Sequence, residues 1–164
     1  MLVLLLMFTH ILAAPQGVTP PEVKIEVREG GGRQAPPHPV IISIRSDGLV
    51  KTTRGEFRVA AQKVHQLVAH LERLGAFNLP SGDLQEEVIK AGEAPAGVRG
   101  GSGVYTLCLT RGDKSINVRL NQPDSYAETR VKAVRIFQKA LHAIRKFAKE
   151  VEQKHANPPR QQTS

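Results

Sequence analysis

Six basic side chains recur along the C-terminal part of the chain at the spacing of one helical face. They are three or four positions apart and fall within a stripe about 100° wide on a helical projection: Lys132, Arg135, Lys139, His142, Lys146 and Lys149. Residues 127–164 hold nine Lys or Arg against three Glu, which is +6 of the net charge of +8. Such a stripe first indicates a solvated face that keeps the protein soluble, and the more specific hypothesis is that it docks on an anionic surface outside the cytoplasm.

Residue types that perform covalent or metal chemistry are present, but their spacing favours no catalytic site. His65 and His70 are five positions apart on one predicted helix, about 140° around its axis, so they cannot converge on one metal ion. The single cysteine, Cys108, falls within a predicted strand, where a small packed residue is expected. The glycine-rich stretch 97–103 leads into a strand, whereas a phosphate loop leads into a helix. We therefore predict that the chain is not an enzyme and has no cofactor or metal site.

The first half of the chain predicts three strands and a helix. Val23, Ile25 and Val27 alternate with charged residues, which indicates a half-buried strand. Two further strands, over about 40–45 and 49–59, flank the turn residues Asp47-Gly48. Apolar residues at helical spacing then predict a helix over 61–74 that ends at Gly75.

The second half predicts a hairpin and a long helix. The hairpin spans about 104–120 and turns at Gly112-Asp113, and the helix runs from about Tyr126 to Lys154. The predicted fold class is α+β, with an antiparallel sheet of about five strands and both helices on one face. Residues 22–154 are predicted to form one domain, in which 78–103 is a flexible connection with a helical turn near 84–89, and 155–164 are predicted to be a disordered tail.

The N-terminal segment predicts the compartment. Residues 1–14 are almost wholly apolar, and no charged residue occurs before Glu22. This run is shorter than the ~20 residues that span a bilayer, so it predicts a signal peptide, with a truncated membrane anchor as the alternative. Residues 15–21 then form a linker, and the domain is predicted to be extracytoplasmic, either periplasmic or secreted.

Two resemblances accompany these patterns. Glu29-Gly30-Gly31-Gly32, the segment 42–50 (ISIRSDGLV) and Gly75-Ala76-Phe77-Asn78-Leu79 resemble a group of exported bacterial proteins of unknown function. That resemblance implies an α+β fold outside the cytoplasm and transfers no catalytic residue. The run from Leu2 to Phe8 followed by Ala14-Pro15 is similar to the membrane helix of TolR/ExbD-type transport accessories, although those helices begin with a functional Asp that this chain lacks.

Three function classes follow from these observations. The first is a non-enzymatic exported module that binds a protein or an anionic envelope component, either membrane or polymer. The second is a membrane-anchored accessory of a transport complex. The third, a nucleic-acid binder, is less favoured because two Tyr and no Trp provide few side chains for base stacking, so no nucleic acid partner is expected.

Overall fold

The structure is a computed structural model that describes residues 21–31, 38–93, 103–126 and 128–156. The strands are β1 (Val23–Gly30), β2 (Val40–Arg45), β3 (Leu49–Thr52), β4 (Gly55–Arg58), β5 (Gly82–Asp83), β6 (Val104–Arg111) and β7 (Lys114–Asn121). The helices are α1 (Ala61–Leu74), α2 (Gln85–Lys90) and α3 (Lys132–Ala156), with short 3-10 helices at Ala76–Asn78 and Pro123–Tyr126. The predicted α+β class is confirmed. The predicted signal segment 1–14 lies outside the described residues, as do 15–20 of the linker and 157–164 of the tail.

One sheet forms the centre of the molecule, in the order β4-β3-β2-β1-β6-β7-β5. The central strand β1 pairs antiparallel with β2 on one side and β6 on the other, and Ile25 lies opposite both Ile44 and Leu109. The apolar side chains of these paired positions lie on one face of the sheet and are buried there, while Lys24 and Glu26 lie on the opposite face. The sheet therefore has one apolar face that must be covered.

Helices α1 and α3 supply that cover. Val64 and Leu71 of α1 and Phe137 and Ile144 of α3 belong to the same core cluster as the apolar residues of the sheet. Helix α1 ends at Gly75, whose φ of +80° is the left-handed conformation that glycine adopts without a steric penalty. Within the described residues, no helix combines the length and the apolar character needed to cross a bilayer.

The described part of the sheet has seven strands rather than the expected five. The strand expected over 49–59 is divided into β3 and β4 by a turn at Thr53-Arg54, and Gly55 follows this turn with a φ of +150°. The segment 82–83 adds β5, which pairs with β7 in the parallel direction, so the sheet is not wholly antiparallel.

Residues 78–103 contain more regular structure than the flexible connection with a helical turn near 84–89 that was expected. Leu84 and Val88 are buried in the core, which explains why β5 and α2 form over 82–90, and residues 94–102 lie outside the described part of the chain. Helix α3 also begins at Lys132 instead of near Tyr126. The carboxylate of Glu93 accepts hydrogen bonds from the Thr129 hydroxyl at 2.5 Å and the Arg130 N–H at 2.9 Å, which holds this segment in a turn before the helix.

Replacement of Gly30 by alanine is expected to destabilise the fold. A Cβ at this position would lie within 2.6 Å of three atoms of the His38 imidazole, and that ring is buried, so it has no open space beside it to move into. We expect Gly30→Ala to lower the free energy of unfolding by about 1–3 kcal/mol in urea titrations. The matched control is Gly31→Ala, because no heavy atom lies within 4 Å of a Cβ built there. Equal losses in the two variants would contradict the role of the His38 contact.

Candidate functional site

The predicted basic stripe lies on the solvent face of α3. All six of its residues are exposed: Lys132, Arg135, Lys139, His142, Lys146 and Lys149. None of them forms an ion pair with a carboxylate of the residues that the structure describes. The stripe therefore carries positive charge that its described surroundings leave without a direct partner.

The six residues of the stripe do not all lie in the same part of the surface. Lys139, His142 and Lys146 lie on the rim of a groove between α1 and α3, whereas Lys149 lines a separate hollow of about 360 Å³ beside Thr52. Lys132 and Arg135 belong to none of these three hollows. The structure thus brings three of the six predicted residues together at one concave site and leaves the others on open surface.

The groove consists of two adjoining hollows of about 640 and 630 Å³. They share His70 of α1 and Ala143 and Lys146 of α3, so they lie side by side, and the two together are here called the α1–α3 groove. The buried Leu67 and Val151 and the partly buried Phe147 lie at its floor. An apolar floor between polar rims is a common arrangement in ligand sites.

The rims of the α1–α3 groove are strongly basic. Among the described residues that line it, six Lys or Arg side chains face two acidic ones, Asp124 and Glu150, which gives a formal charge of +4. These cations come from β4, α1 and α3: Arg58, Lys63, Lys139, Arg145, Lys146 and Lys154. A concave surface of one charge sign attracts oppositely charged ligands more strongly than a flat surface does.

Lys63 of α1 and Lys154 of α3 both line the hollow at one end of the groove. The pKa of Lys63 lies below its ordinary value because the Lys154 side chain lies beside it, and the positive charge of Lys154 disfavours a second ammonium. The carboxylate of Glu150 acts in the opposite direction and does not outweigh that effect. Both lysines are exposed, so this close approach of like charges is accessible to a ligand.

Arg145 is held in place where the groove borders the hollow beside Thr52. The central carbon of its guanidinium lies 4.3 Å from the centre of the Tyr105 ring, a cation–π distance. The Tyr105 hydroxyl donates a hydrogen bond to Glu29 Oε1. Burial raises the pKa of Tyr105, as does the hydrogen bond to Glu29, while the charge of Arg145 lowers it. This stacking orders a side chain that would otherwise be free to rotate.

The other candidate residues do not assemble into a reactive site. His65 and His70 are both exposed on α1, and no group of three His, Cys, Asp or Glu within the described segments could hold a metal ion. Cys108 is partly buried on the polar face of the sheet, where burial raises the pKa of its thiol and Arg28 opposes that shift. A thiol with a raised pKa is a poor nucleophile.

Comparison of the chain with protein-family models, curated proteins and solved structures found no match. The two resemblances stated from sequence motifs therefore stay predictions, and the groove has to be interpreted from its own geometry.

Periodicity along α3 identified part of this site and missed the rest. Arg58, Lys63 and Lys154 lie outside the predicted stripe, and the residues from β4 and α1 reach the groove only through the fold. The available signal was the polar spacing of Lys63, Gln66 and His70 on α1, which places them beside the apolar residues of that helix.

The cluster around Tyr105 allows a test in which two substitutions shift the pKa of Tyr105 in opposite directions. We expect Glu29→Gln to lower the pKa of Tyr105, because the carboxylate disfavours the phenolate, and Arg145→Gln to raise it, because the guanidinium favours the phenolate. Absorbance titration in a Tyr126→Phe background reports on Tyr105 alone, since the chain has two tyrosines. Arg135→Gln removes the same charge elsewhere on α3 and serves as the control. Shifts of the same sign in both variants would rule out this arrangement.

Proposed function

We propose that this chain is a non-enzymatic extracytoplasmic module that binds an anionic component of the cell envelope through the basic face of α3. The observation that carries the proposal is the set of six exposed basic residues that have no ion-paired carboxylate among the described residues. The other side of the same helix is buried in the core, so the basic face points away from the protein.

The free energy that each basic residue contributes supports binding to an extended anionic surface or polymer. A Lys or Arg near an anionic membrane contributes about 1 kcal/mol, and this attraction is screened beyond about 10 Å at 0.1 M salt. Three simultaneous contacts from α3 therefore supply roughly 3 kcal/mol, whereas a single small anion contacts fewer cations. The interaction is expected to weaken steeply as the salt concentration rises.

The extracytoplasmic part of the proposal rests on the apolar segment 1–14, which lies outside the described residues. The same segment is the basis of the alternative, a membrane-anchored accessory of a transport complex. The basic face belongs to the described part of the chain, and for that reason the binding module is preferred.

A fourfold variant of the stripe tests the proposal. We expect replacement of Lys132, Arg135, Lys139 and Lys146 by glutamine to reduce cosedimentation with anionic liposomes or anionic wall polymer by at least roughly tenfold at low salt. The fold is expected to be retained, because all four side chains are exposed and circular dichroism can check the helices.

The matched control removes the same charge from other elements. Lys24, Lys51, Lys90 and Lys114 are exposed on β1, β3, α2 and β7. Their replacement by glutamine is expected to leave most of the binding intact. If the stripe variant still sediments like the unmodified protein, the stripe is only a solvated face. If both variants lose binding equally, net charge and not this face is responsible.

A further inference from the structure

The α1–α3 groove differs from a flat docking surface in the placement of its charges. Its cations lie on two rims that belong to different elements, with Lys63 on α1 and Lys146 on α3, and the floor between them is formed by Leu67, Phe147 and Val151. A planar bilayer contacts the rims of such a groove and does not reach its floor. A polymer that is narrow enough to enter the groove contacts both the rims and the floor.

We infer that the α1–α3 groove binds a linear anionic polysaccharide, and that Lys63 and Lys154 together hold one of its anionic groups. This inference rests on the proposed function and names the class of ligand for part of the same basic face.

Lys63 and Lys154 project from different helices into the lining of the same hollow, and this placement supports the assignment. Neither residue forms an ion pair with any carboxylate in the described segments. Two adjacent ammonium groups repel one another, and an anion between them adds two attractions that outweigh that repulsion. The lowered pKa of Lys63 is consistent with such a contact in the free protein.

The length and floor of the groove favour a polymer over a single anion. Along α3 the rim extends from Lys139 to Lys154, which at 1.5 Å per residue is about 22 Å. Sugar rings present apolar C–H faces to the apolar floor of Leu67, Phe147 and Val151, and their acidic substituents reach the rims. Single-stranded nucleic acid fits less well, because Phe147 is the one Phe, Tyr or Trp among the described lining residues and bases require aromatic platforms.

The test uses the full chain and linear oligogalacturonates as the probe. Calorimetric titration at low salt compares an oligomer long enough to span the groove with the galacturonate disaccharide. We expect the long oligomer to bind more tightly, and the double variant Lys63→Gln, Lys154→Gln to weaken its binding by roughly tenfold or more. The matched control, Lys90→Gln with Lys114→Gln, removes the same charge from exposed positions outside both the groove and the stripe, and it is expected to change the affinity by less than about threefold.

The outcomes separate this inference from the proposed function. Equal losses in the groove variant and its control, or no loss in the groove variant, overturn the groove assignment. In that case the proposed function survives if the fourfold stripe variant still loses binding, and it fails if that variant also binds normally. A disaccharide that binds as tightly as the long oligomer excludes a polymer site. If anionic vesicles or a single-stranded DNA oligomer depend on Lys63 and Lys154 and the oligogalacturonate does not, the assigned occupant is wrong.

Discussion

The burial of one sheet face beneath α3 is the constraint on which the rest of the structure depends. Helix α3 contributes seven buried residues, from Val134 to Val151, whereas α1 contributes four. Full burial of one large aliphatic or aromatic side chain is worth about 1.5–3 kcal/mol, and a surface ion pair is worth about 0–1 kcal/mol. Any rotation of α3 that moved its basic residues toward carboxylates would expose part of this apolar face. The core therefore fixes the direction in which the basic face points.

Several partly buried carboxylates in the described part of the chain have cationic or hydrogen-bonded partners, whereas the basic face of α3 has no ion-paired carboxylate there. Burial acts to raise the pKa of Glu26, but hydrogen bonds and charges from Lys24 and Arg28 outweigh it, so the pKa is lowered overall. This carboxylate therefore stabilises the fold above its unfolded-state pKa, and its contribution is lost as the pH falls through the lowered value. Glu152 at the end of α3 accepts a hydrogen bond from Thr52 at 2.6 Å. The fold thus neutralises the carboxylates that it partly buries, and the stripe on α3 has no comparable structural role.

Sequence patterns predicted the elements whose bounds depend on neighbouring residues. They failed for the elements whose bounds or pairing depend on residues far away in the sequence. Helix α1 has the predicted bounds because its apolar spacing and Gly75 both act within one helix. The division between β3 and β4 was missed because Gly55 was the single local signal of the turn. The pairing of β5 with β7 and the start of α3 were missed because Gly82 meets Val118 and Glu93 meets Thr129 only in the folded chain. Helical spacing also identified the stripe on α3. It could not place Lys63 beside Lys154, because these residues lie on two helices that are far apart in the sequence.

The groove also explains why a ligand with many charges suits this surface better than one with few. Its rims are held by a common core, so binding does not have to order the backbone. One Lys or Arg contact with an anionic surface contributes only about 1 kcal/mol, so a ligand with a single charge gains little affinity. Arg145 is already stacked on Tyr105, so its contact loses less side-chain freedom than that of an unconstrained arginine. Useful affinity therefore arises when one ligand spans several cations and also covers the apolar floor, and a linear polymer meets both conditions.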